Sequence, residues 1–131
     1  MVFDRAALER RTKEFALRAV EFVKGLPRGP IDDVLGRQLL RSATSIGANY
    51  REANRAESRS DFMHKISLVE KEAAETQYWI ELCQEAGVGA VTDLREFLKE
   101  STELLAIFTH IGKSTKARTA KVRNSNFEIR R

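Results

Sequence analysis

The sequence predicts an all-α fold, an antiparallel up-down four-helix bundle with a basic C-terminal tail. Apolar residues recur at three- and four-residue spacing through four long segments. The two prolines, Pro27 and Pro30, sit together and leave the rest of the chain free to be helical. No segment shows a competing strand pattern. At 131 residues the chain suits one hydrophobic core rather than two.

The first helix is expected from Asp4 or Arg5 to Lys24. Leu8, Phe15 and Phe22 recur every seven residues, with Thr12, Ala19 and Leu26 as a companion row, so one stripe faces inward. Gly25, Pro27, Gly29 and Pro30 stop it, and Asp32 or Asp33 can accept from the free amides that open the second helix. That helix should reach about Ala56, with Leu35, Leu39, Ala43, Ile46, Tyr50 and Ala53 along one face. Gly36 and Gly47 each lower its propensity by roughly 1 kcal/mol relative to alanine. At Gly47 a close helix approach would offset that cost; a merely tolerated glycine is the alternative.

Ser58 followed by Asp61 marks the start of a third helix, expected over Ser60 to Ala86. Phe62, Ile66, Val69, Ala73, Thr76, Ile80 and Cys83 form its heptad seam. Leu68, Trp79 and Leu82 fall off the seam, which implies burial of more than one face. Gly87 and Gly89 end it. Thr92 is placed to cap a fourth helix that carries Leu94, Phe97, Leu98, Leu104, Leu105, Phe108 and Ile111 and stops near Ser114. The bundle is therefore expected over residues 1–114. Residues 115–131 are polar, basic and weakly periodic, and are expected to form a disordered tail.

Composition narrows the function classes. The lone Cys83 excludes an internal disulfide framework and fits a reducing cytoplasm, the expected location. No apolar stretch approaches the roughly 20 residues needed to span a bilayer, and Met1 to Arg11 lacks the apolar region of a signal peptide, so no membrane association is expected. The net charge of +4 is unevenly distributed. Residues 1–60 carry 12 Lys/Arg against 8 Asp/Glu, residues 61–112 carry 4 against 10, and residues 113–131 carry 7 against 1.

The stretch from Arg41 to Glu52 holds a polar row, Arg41, Ser45, Asn49 and Glu52, beside the Ile46/Tyr50 stripe. Lys65, Glu72, Glu75 and Thr76 border the seam of the third helix. Folding the two helices back on each other near Glu57 sets Arg41 opposite Glu72 and Glu75, and Asn49 and Glu52 opposite Phe62 to Lys65. Two meanings are open: a charge-paired network that fixes helix register, or a contact surface made by Asn49, Arg51, Glu52 and Arg55. A diiron centre would need inward Glu-x-x-His pairs; His64 and His110 have Asp61 and Ile107 at their i−3 positions, which does not complete one. Cys83 sits on the apolar seam without a CxxC partner. No phosphate-cradling loop, nucleophile elbow or zinc-ligand set occurs, so neither catalysis, a metal nor a cofactor is expected.

The run from Ser42 to Cys83 resembles the bacterial four helix bundle protein family, also called 23S rRNA intervening-sequence proteins. The resemblance lies in Gln38-Leu39, Arg41, Ser45-Ile46, Asn49-Tyr50, Glu52, Phe62, the Glu72/Glu75/Thr76 group and Trp79. It covers roughly residues 5–115 and is most specific in helices two and three. It implies a four-helix up-down bundle that assembles as a homopentamer and has an RNA-linked role. A related bundle, the accessory protein of diversity-generating retroelements, works with a reverse transcriptase and RNA. The expected function is thus a non-enzymatic homo-oligomer associated with RNA or another nucleic acid. In a ring, basic helices one and two would meet acidic helices three and four of the next subunit. Lys113, Lys116, Arg118, Lys121, Arg123, Arg130 and Arg131 are the candidate phosphate contacts; a solvated, solubilising tail is the plainer meaning of the same residues. The rival class is a protein-interaction scaffold, such as an accessory subunit to a polymerase or reverse transcriptase.

Overall fold

The computed structural model describes the backbone of residues 4–129 and the side chains of residues 4–122. Four helices follow in order: α1 (Arg5–Lys24), α2 (Pro30–Ala53), α3 (Arg59–Ala86) and α4 (Val91–Ile129). No strand occurs among the described residues.

Local chemistry sets the helix ends. The Asp4 carboxylate accepts from the amides of Ala6 at 3.0 Å and Ala7 at 3.3 Å, satisfying donors that the first turn leaves free. Pro30 opens α2, where its missing N–H costs nothing, and Asp32 and Asp33 follow in the first turn. The Ser58 hydroxyl accepts from the Asp61 amide at 3.0 Å. Gly87 ends α3 in the left-handed region at φ 70°.

Three boundaries depart from expectation. Helix α2 stops at Ala53 rather than Ala56. Its turn is tied to α1 where the Asn54 side-chain Nδ2 donates to Glu9 Oε2 at 2.9 Å. Thr92 is not a cap but lies within the first turn of α4, whose opening bond runs from the Leu94 amide to the Ala90 carbonyl at 3.0 Å. The largest departure is at the other end. In place of the disordered tail expected from residue 115, α4 continues to Ile129. No glycine or proline follows Gly112, and Lys, Arg and Ala favour helix. The Thr115 and Thr119 hydroxyls donate to the carbonyls of Ile111 at 2.8 Å and Thr115 at 3.0 Å, so they remain inside the helix's own bonding. Thr119 also donates to Met63 Sδ at 3.3 Å, which holds the extension against α3.

Packing places α1 on α2, α2 on α3 and α3 on α4, with α1 and α4 touching least. Residue numbers rise on one helix as they fall on its neighbour. Thr12 lies by Gly47, and Val23 by Gly36. Lys65 meets Glu52, while Glu75 meets Arg41. Met63 meets Thr119, and Ile66 lies by Gly112. Phe15 and Phe97 stack at 4.6 Å between ring centroids, Phe22 stacks on Phe97 at 6.3 Å, and Tyr50 meets the edge of Phe108 at 5.2 Å. Leu39, Ile46, Ile66, Ile80 and Leu104 are fully enclosed in the core. Trp79 and Leu82 pack partly buried against the core, giving α3 a second apolar flank.

Gly47 is a close-approach glycine, since a Cβ there would stand 3.2 Å from Thr12 Oγ1. Gly89 has φ 87°, and a Cβ at that position would run into the ring of Phe22.

Candidate functional site

Three charged features stand out from the apolar frame. The first is the seam between α2 and α3. Arg41 reaches across with Nη2 2.6 Å from Glu75 Oε2 and Nη1 3.5 Å from Glu72 Oε2. Lys65 Nζ lies 3.0 Å from Glu52 Oε2. The remaining members of the expected row bond within their own helices. The Ser45 hydroxyl donates to the Arg41 carbonyl at 2.7 Å, and the Asn49 amide donates to the Ser45 carbonyl at 2.8 Å. The Thr76 hydroxyl donates to the Glu72 carbonyl at 2.8 Å.

The seam is thus two ion-pair rungs with local hydrogen bonds between them. It faces water: the Arg41 side chain keeps 47% of its surface exposed. Arg41 also serves its two acids unequally. The short hydrogen bond holds the Glu75 carboxyl below its ordinary range, whereas partial burial pushes Glu72 up, with Arg41 only partly opposing. The nearer acid takes most of the guanidinium's stabilisation, and exposed pairs of this kind are worth at most about 1 kcal/mol.

A second ion-pair cluster, invisible to local spacing, bridges α1 and α4. Arg11 donates from Nε to Glu100 Oε2 at 2.9 Å and from Nη2 to Glu100 Oε1 and Glu103 Oε2, each at 2.6 Å. Hydrogen bonding to Arg11 lowers the Glu100 pKa. The residues are some 90 positions apart, and only their place at the rim of the α1 and α4 stripes hints at the pairing.

The third feature is the far half of α4. Lys113, Lys116, Arg118 and Lys121 all lie exposed on the helix. No acid occurs on this helix from residue 104 to residue 127. Gly112, buried beneath the Glu70 side chain, marks where this half begins. Arg123 belongs to the helix but its side chain lies outside the described ones; Arg130 and Arg131 lie outside the described residues. The segment from mid-α3 into the start of α4 shows the reverse pattern. From residue 72 to residue 94 the chain holds Glu72, Glu75, Glu81, Glu85 and Asp93 and no Lys or Arg. Because Met63 meets Thr119, the cations stand at the α3 N-terminal end and these acids toward the opposite end. On α3 and α4 taken together, charge is therefore separated along the bundle axis.

Little else offers chemistry. Cys83 is enclosed, and burial pushes its thiol up, away from the reactive thiolate. Among the described residues, no group of three His, Cys, Asp or Glu side chains could hold a metal ion, and no helix is long and apolar enough to cross a membrane. A shallow groove between α1 and α4 is lined by Arg18, Glu21, Phe22, Asp93, Glu96 and Phe97.

The chain is similar to a solved structure described as a protein with unknown function from the S23 ribosomal protein family of Bacteroides thetaiotaomicron VPI-5482. The two are 39% identical with a TM-score of 0.75, over 80% of this chain and 97% of that one. No curated protein matches. The profile of the 23S rRNA-intervening sequence proteins matches residues 7–110, so the frame from early α1 to the middle of α4 is shared and the cationic extension falls outside the match. This chain belongs to the 23S rRNA-intervening sequence protein family.

Proposed function

We propose that the protein is a non-enzymatic, cytoplasmic homo-oligomer, a ring of five bundles, that associates with RNA or another nucleic acid through the far half of α4. The observation that supports this most is the unbroken cationic run: four exposed Lys/Arg within nine residues and no acid on the same helix from residue 104 to residue 127. Such a surface attracts a phosphate backbone and releases its counterions. Closing five chains into a ring would repeat the run five times around one rim, so modest single contacts would add. Ring contacts would set α1 and α2 of one subunit against α3 and α4 of the next.

The test uses the full chain with Lys113, Lys116, Arg118 and Lys121 all changed to Gln. These side chains point to water, so the bundle should keep its stability. The unaltered protein should bind RNA with an affinity that falls steeply with salt. The variant should lose most of that affinity, and its salt slope should drop by about three, at roughly 0.7 per phosphate contact on a single strand. Equal affinity of the two proteins would refute the assignment. Sedimentation of both establishes subunit number.

A second reading, a protein-interaction scaffold such as an accessory subunit to a polymerase or reverse transcriptase, draws on exposed apolar side chains. Ile31 is 64%, Val34 55% and Tyr78 56% exposed, all in the half of the bundle away from the cations. Partners retained after nuclease treatment and lost with Val34→Glu would favour it.

A further inference from the structure

We infer that the cationic half of α4 docks along the major groove of a DNA duplex. This rests on the nucleic-acid reading above and names the form of the ligand. The argument is the angular placement of the charges. At about 100° per residue, Lys113 and Lys121 lie about 40° to either side of Ala117, and Lys116 and Arg118 about 100° to either side. Ala120 and Ser114 fill the gaps at about 60°. The buried side is occupied by Ile111, Gly112, Thr115 and Thr119, which face α3 through Met63, Ile66 and the Glu70 side chain.

Four cations thus form a symmetric arc on the water-facing half of the helix, with a small residue, Ala117, at its crest. All four cations, with Ala117 and Ala120, are exposed.

That arrangement suits two phosphate rows flanking one helix better than a single strand lying along one side. An α-helix with side chains is about 10–12 Å across, and the B-form major groove is about 12 Å wide and admits one. The A-form major groove is deep and too narrow for this. A crest of alanine lets the backbone approach the groove floor, while Lys116 and Arg118 reach the opposing walls. Single strands are held by aromatic stacking together with a cationic groove, and the exposed arc over residues 109–122 contains no Phe, Tyr or Trp, Phe127 being the one aromatic residue farther along the helix.

Fluorescence anisotropy on the full chain should compare a DNA duplex, an RNA duplex and single-stranded RNA of matched sequence and length at one salt concentration. The DNA duplex should bind several-fold tighter than either RNA, with guanine N7 protected from methylation. Ala117→Leu keeps every charge and a good helix former, yet raises the crest; it should bring DNA affinity down to the RNA level. Equal affinity for the three ligands, or preference for an RNA, overturns groove docking and leaves the nucleic-acid reading standing. Failure to bind any of them removes both.

Discussion

The two halves of α4 are one continuous helix built on different physics. From Leu94 to Phe108 the inner face is apolar and enclosed, with Leu94, Phe97, Leu104 and Phe108 at 0–1% exposure. Stability there comes from area removed from water, at roughly 25 cal/mol per Å². Past Gly112 the inner face is Thr115 and Thr119, half-buried, bonded to their own helix and touching α3 through one methionine sulfur. That half contributes little to the core and presents its charge instead. A helix can therefore be anchored at one end and serve as an arm at the other. The family profile ends at residue 110, close to where the one changes into the other.

Substitutions can break this contrast in graded steps. Phe97→Ala should be the most damaging, losing about 3–5 kcal/mol in urea denaturation because two stacked partners, Phe15 and Phe22, face the cavity. Thr119→Ala in the other half should cost well under that; comparable losses would erase the distinction. Gly89→Ala, at the loop that launches α4, should cost about 1–3 kcal/mol from its positive φ and the displaced Phe22 ring.

A third test uses pH. The Glu100 carboxyl is held below its ordinary 4.5 by hydrogen bonds from Arg11. A carboxyl lowered by folding stabilises the fold above its unfolded value, and that contribution disappears as pH falls through the lowered folded value. Acidification below about 4.5 should thus lower the urea midpoint, and Arg11→Met should flatten that dependence. A steeper profile in the variant would contradict the pairing.

Gly112→Ala should be mildly favourable, by up to about 1 kcal/mol, because helix propensity rises. Only the flexible end of Glu70 has to swing aside. Arg41→Ala should move stability least, by at most about 1 kcal/mol, since the pair it breaks is exposed.

Much of the frame was legible in the residues. Apolar spacing of three and four residues located all four helices, and the opening of α1, the Ser58 cap and the Gly87 stop were readable because each depends on one residue acting within its own turn. Arg41 opposite Glu72 and Glu75 followed from folding α2 back on α3 about a short turn. The Arg11 cluster did not, since it joins the first and last helices and no short turn fixes their register. The end of α4 was missed for another reason. Hydrophobic spacing detects helices that bury a face, and beyond Gly112 helix formation rests on the propensity of Lys, Arg and Ala rather than on burial. Spacing alone could not reveal that the Ser45, Asn49 and Thr76 side chains turn back to bond their own helix backbones.

The axial separation of charge described above has a practical side. A net value of +4 describes a sphere poorly when one tip gathers Lys113, Lys116, Arg118 and Lys121 on a stretch of helix without acids. Near neutral pH, a cation-exchange resin should hold the molecule by that tip. Elution would then follow the local density of charge there rather than the isoelectric point.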